Sequence, residues 1–85
     1  MVNQGPPNIT FKERIRRARL DQDLTLRDLE KRCEEAGERI DHGTLSRYEQ
    51  GLFRPKRRRR KILATALNIP FDDLDSLGEN RQESP

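Results

Sequence analysis

The chain has 85 residues, enough for one small domain, and it carries 31% apolar and 39% charged residues with a net charge of +3. Leu, Ile, Val and Phe supply 19 of the 85 residues, just above the roughly 20% level below which a highly charged chain reads as disordered. The longest apolar run, Ile62-Leu63-Ala64, falls far short of the ~18 residues of a membrane helix, and one cysteine with one histidine excludes an internal disulfide and a four-ligand structural zinc site.

No segment alternates apolar and polar residues with period two, so the chain reads as all-α. The first helix is predicted after Thr10, whose partner Glu13 completes a capping box. It runs to about Asp21, with Phe11, Ile15, Ala18 and Leu20 toward the core. Thr25 and Asp28 open the second helix, where Leu26, Leu29 and Cys33 form the apolar stripe and Ala36-Gly37 the end. Asp41 caps a short third helix over His42 to Gln50, closed by Gly51 in the left-handed region. A fourth runs from Lys56 or Arg57 to Leu67, burying Leu63, Ala64 and Leu67, and stops at Asn68. Pro70 opens a last short helix with Asp72 and Asp73 in its first turn, where the helix dipole favours anions.

One spacing recurs at three helix starts. Leu24/Leu29, Ile40/Leu45 and Ile69/Leu74 each place an apolar residue before the cap and another five positions on, the pattern of a hydrophobic staple. Residues 1–9, with Gly5-Pro6-Pro7, and residues 78–85 are polar and read as flexible ends around a domain over 10–77.

The small net charge hides segregation. Residues 1–20 sum to +4, 21–38 to −4, 39–61 to +7 and 62–85 to −4. The densest stretch, Arg54-Pro55-Lys56-Arg57-Arg58-Arg59-Arg60-Lys61, holds seven cations in eight residues, the footprint of a polyanion binder. A solvated face or a localisation-type run is the plainer reading of the same stretch. The cations also crowd the start of the fourth helix, where the dipole disfavours each by ~0.3–1 kcal/mol. Neutralisation by phosphates offsets that penalty, and six to ten such contacts would cost about 10³–10⁵ in affinity between 50 and 200 mM salt.

The second and third helices are arranged like a helix-turn-helix. Over Leu24-Thr25-Leu26-Arg27-Asp28-Leu29 and Thr44-Leu45-Ser46-Arg47-Tyr48-Glu49-Gln50-Gly51 the chain resembles the XRE family, the lambda/434 repressor and Cro type of DNA-binding domain. Ile15 to Arg19 is similar to that family's first helix, and Ala64 to Leu74 to its ending, so the resemblance spans about residues 11–77. Four points depart from it. Leu26 stands where a phosphate-contacting Gln is common. Glu30 stands where a small Ala lets the second and third helices touch. The link from Leu29 to Ile40 is several residues longer, so the second helix extends through Ala36 before a turn at Gly37-Glu38-Arg39. Arg59 and Arg60 take places where the family often buries an apolar side chain.

The resemblance implies a compact five-helix bundle of the lambda-repressor-like type that binds double-stranded DNA. The third helix enters the major groove, where His42, Gly43, Thr44 and Arg47 are candidate base contacts. Arg47 leads, because its planar fork can bond guanine O6 and N7 together. Its alternative role is a phosphate contact, and His42 can equally be a solvated first-turn residue. Candidate phosphate contacts are Arg27, Ser46, Arg54, Lys56, Arg57, Arg58 and Arg59, with Arg14, Arg16 and Arg17 adding to the field. By the resemblance, Glu49 pairs with Arg19 of the first helix and anchors the recognition helix. Leu45, Tyr48 and Cys33 read as core.

No catalytic constellation, phosphate-cradling glycine loop, cofactor motif, metal site or small-molecule ligand is suggested, so the chain reads as a regulator and not an enzyme. The expected role is that of a repressor or Cro-like regulator on an operator. The alternatives are an antitoxin that also binds a toxin, or an unspecific polyanion or RNA binder. A homodimer, formed in solution or only on DNA, would use Phe71, Leu74 and Leu77 of the last helix, or else Leu52 and Phe53. With no signal-peptide pattern before Lys12 and no membrane span, the expected location is the cytoplasm of a bacterium or of a phage host.

Overall fold

The first three helices begin where a local side-chain cap satisfies their first amide groups, whereas the fourth and fifth start without one. The computed structural model describes residues 9–77, and the expectations for residues 1–8 and 78–85 lie outside them. The chain forms α1 (Phe11–Asp21), α2 (Leu26–Glu35), α3 (His42–Gln50), α4 (Arg57–Leu67) and α5 (Phe71–Asp75), with no strand among the described residues. Thr10 Oγ1 accepts from the Glu13 N–H while Glu13 Oε1 accepts from the Thr10 N–H. Thr25 and Asp28 repeat this box at α2. At α3, Asp41 Oδ2 accepts from the Gly43 N–H at 2.9 Å. Caps of this kind contribute ~1 kcal/mol each.

The first four helices also end alike. Asp23, Gly37, Gly51 and Asn68 all adopt positive φ, between 56° and 128°. The next residue in each case bonds back to the carbonyl five positions earlier, as Leu24 to Arg19, Glu38 to Cys33, Leu52 to Arg47 and Ile69 to Ala64. This is the Schellman pattern, and it turns the chain sharply enough for short helices to fold onto one another. At Gly37, with φ of 128°, an added Cβ would lie 3.3 Å from Ile62 Cδ1. The extended turn after α2 therefore needs glycine for its backbone and for its packing on α4.

The core draws on every helix. Phe11, Ile15 and Ala18 of α1 meet Leu29 and Cys33 of α2, Leu45 and Tyr48 of α3, and Leu63, Ala64, Ala66 and Leu67 of α4. Ile40, Ile69 and Leu74 complete it, and all three staple pairs lie in or against this cluster. α2 packs on α3 and α4, α1 on α3 and α4, and α5 on α4. Fully burying a Leu or Ile contributes ~1.5–3 kcal/mol, and Ile15, Leu29, Ile40, Leu45, Leu63, Leu67 and Leu74 are all fully buried. Gln22 Nε2 donates to the Leu67 carbonyl at 2.7 Å and Arg32 Nη1 to that of Ala66 at 3.4 Å, which satisfies the end of α4.

Two sequence expectations are corrected. Leu20 is 49% exposed; nine residues from Phe11 at about 100° per residue put it on the opposite face of α1. Leu74 is fully buried and belongs to the core, with Phe71 and Leu77 packed against it. The apolar side of α5 thus faces α4, and Leu74 is not available to a second subunit. Among the described residues, Leu52 and Phe53, 62% and 57% exposed, are the large apolar side chains left at the surface beside Leu20.

Candidate nucleic-acid interface

α3 is held to the scaffold by a bidentate ion pair. Arg19 Nε donates to Glu49 Oε2 at 2.7 Å and Nη2 to Oε1 at 3.0 Å. Arg19 Nη1 also donates to the Leu24 carbonyl at 2.7 Å. Both side chains are largely buried, 12% and 7% exposed, and the bonds to Glu49 raise the Arg19 pKa above its ordinary value. One arginine therefore joins α1, the turn before α2, and the end of α3.

The start of α3 is held from α2. Glu30 Oε1 accepts from the His42 N–H at 3.1 Å and lies 2.8 Å from His42 Nδ1. Arg39 pairs with the other oxygen, Oε2. The His42 ring bond, first among several favourable contacts, holds the Glu30 pKa below the usual glutamate range. Glu30 thus fills the helix contact where the XRE family often has a small residue, and turns it into a polar clamp. Glu30, Asp41 and His42 also place three possible metal-ligand atoms within 4.8 Å. The positive end of α3 and the Arg39 guanidinium already use the same carboxylates, which disfavours a cation there.

The outward face of α3 carries Gly43, Thr44, Ser46 and Arg47. Arg47 is exposed and has no partner among the described residues. Its Nη1 lies 3.7 Å from where a Gly43 Cβ would sit, so the guanidinium leans back over the first turn. The same Cβ would stand 2.9 Å from Asp41 Oδ2. Glycine here leaves room for the cap and for the arginine. Ser46 Oγ accepts from Gln50 Nε2 at 2.9 Å.

A groove beside α3 brings several candidates together. Thr44, Tyr48, Phe53, Arg54, Lys56, Arg58 and Arg59 line it. Arg27, near the start of α2, is exposed elsewhere. The cationic run divides within itself. Arg59 Nε donates to Glu38 Oε2 and Nη1 to Tyr48 Oη, both at 3.0 Å. Arg60 bonds Asp75 Oδ1 through Nε and Nη2 and the Pro55 carbonyl through Nη1. Arg57 and Lys61 lie 5.2 and 5.6 Å from the Phe71 ring centre, and Arg54 lies 5.6 Å from that of Phe11. Arg58, 80% exposed, sits 3.1 Å from Glu38 Oε1, without an aligned hydrogen bond to that buried oxygen.

The protein itself therefore offsets part of the charge at the start of α4. Arg59, expected on phosphate, has two of its three nitrogens bonded inward. Glu30 stood out in the sequence only as a departure at the contact of the second and third helices, and Glu38 and the Tyr48 hydroxyl not as partners at all; the structure makes all three the inner partners of this surface. Their signal was faint: isolated acids in a chain already rich in charge.

A family model described as helix-turn-helix matches residues 15–74, which include all of α2, α3 and α4. No curated protein and no solved structure matches the chain.

Proposed function

The chain belongs to the XRE-type helix-turn-helix family of DNA-binding transcription regulators, and on that premise we propose that it is a repressor or Cro-like regulator occupying a double-stranded operator. The observation that carries this reading is the recognition helix itself. α3 is clamped at its end by Arg19–Glu49 and at its start by Glu30, while Arg47 remains exposed and unpartnered among the described residues. A rigid helix with one free arginine fork suits direct reading of guanine in the major groove.

In this proposal His42, Gly43, Thr44 and Arg47 face base edges, and Arg27, Ser46, Arg54, Lys56, Arg57 and Arg58 approach phosphates. Arg59 contributes mainly by holding Tyr48 and Glu38. A homodimer on DNA would use the exposed Leu52-Phe53 loop rather than α5. No helix among the described residues is long and apolar enough to cross a membrane, and the proposed place of action is the cytoplasm of a bacterium or phage host. Selection of duplex sites in vitro at near-physiological salt tests the reading. A defined site with two half-sites supports it. Equal competition by random duplex and by RNA would replace it with unspecific polyanion binding.

A further inference from the structure

His42 lies in the first turn of α3 and bonds inward through one ring nitrogen. Nδ1 is 2.8 Å from Glu30 Oε1, which also accepts the His42 N–H, and Arg39 pairs with Glu30 Oε2. Asp41 Oδ1 stands 3.8 Å from the same Nδ1. A carboxylate in contact with an arginine and a backbone N–H is held in its ionised form, and an ionised carboxylate only accepts. The proton between Glu30 and His42 therefore belongs to the imidazole. A neutral imidazole carries one N–H, so Nε2 is left with a bare lone pair. Nε2 has no partner among the described residues, and the side chain is 38% exposed.

We infer that Glu30 is a positioning residue that holds His42 in the Nδ1–H form, so that Nε2 accepts from an exocyclic amino group of cytosine or adenine in the major groove. The inference rests on the DNA-binding reading above. Guanine and thymine present only acceptors on that edge, as phosphate does, and a lone pair gains nothing from them. The selectivity at this position therefore comes from a residue on α2 that need not touch DNA.

Two measurements test it. Two-bond ¹H–¹⁵N correlation of the free protein at about pH 8, above the ordinary imidazole range, should show the Nδ1–H pattern. An Nε2–H pattern overturns the inference whatever the protein does with DNA. Site selection should then give cytosine or adenine at one position, with that preference reduced roughly two- to tenfold in His42→Ala, the worth of one hydrogen bond. In Glu30→Met, which offers only a weak thioether acceptor, the preference should move toward guanine or thymine. An unchanged site for His42→Ala overturns the base contact even if Glu30→Met fails to fold. Absence of any selected site for the wild-type protein overturns the operator reading instead, while the NMR result still decides the ring state.

Discussion

Glu30 Oε1 takes two hydrogen bonds from one residue, His42, through its backbone N–H at 3.1 Å and its ring Nδ1 at 2.8 Å. Together with the Asp41 bond to the Gly43 N–H, this satisfies the first two amides of α3 with carboxylates. Anions at a helix start are favoured by the dipole, so the clamp supports the helix as well as its placement on α2.

Acid should loosen this clamp and the two capping boxes together. The Glu30 pKa is lowered chiefly by the His42 ring bond, that of Glu13 by the Thr10 N–H, and that of Asp28 by the Thr25 N–H. A carboxylate with a lowered folded pKa stabilises fully above the ordinary carboxylate range, about pH 5, and loses that contribution as pH falls through its folded value. The melting temperature should therefore decline below about pH 5, and less steeply in Glu30→Gln. Parallel curves for the two proteins would count against a role for Glu30.

Glu49→Ala should destabilise the protein by about 3 kcal/mol, because it leaves a largely buried Arg19 without its carboxylate. The double variant with Arg19→Met should recover part of that loss, since the uncompensated charge is then gone. Denaturant midpoints for the two single variants and the pair give the coupling directly, and an unchanged midpoint for Glu49→Ala rejects the anchoring role.

Arg47→Ala and Arg58→Ala should fail in different ways. Loss of the Arg47 fork should relax preference for one guanine by ~1–3 kcal/mol. Loss of Arg58 should weaken all duplexes alike and reduce the slope of log K against log salt by about 1. Binding titrations at several salt concentrations separate them. Equal weakening on every sequence by Arg47→Ala would assign that residue to phosphate.

The Cys33 thiol should be inert until the protein unfolds. Burial pushes its pKa up to about 12, its side chain is fully enclosed, and the thiolate is the reactive form. Alkylation monitored by mass should therefore track global unfolding across a denaturant series. Rapid labelling in native buffer would show that α2 opens locally.

Phe53→Ser should leave the unfolding free energy within about 0.5 kcal/mol of the wild type, since the side chain is 57% exposed. Cooperative occupation of two half-sites should nevertheless be lost. Binding isotherms on single and paired half-sites give the answer, and cooperativity retained in the variant removes the loop from the dimer.

The sequence by itself determined the helices of this protein. Its caps and stops are bonds between residues a few positions apart, and Thr10–Glu13, Thr25–Asp28, Asp41 and Gly51 announce them in the local order of residue types. The apolar stripes followed from period 3.6, and Leu20 was misplaced only where that period was not applied. Asp23 was missed as a positive-φ stop because glycine and asparagine are the usual signals there.

Only the tertiary structure decided which charges face inward. Arg59 meets Glu38 across 21 positions of sequence, and Arg60 meets Asp75 across 15. Seven cations in eight residues look alike until the packing of α2, α4 and α5 supplies their partners. Helix period and capping are properties of the local chain, whereas the pairing of a charge depends on which distant side chain the fold brings to it. The +3 balance with which the chain was first described therefore said little. In the proposed reading, the surface offered to DNA consists of the cations that the fold has not already neutralised, Arg47 among them.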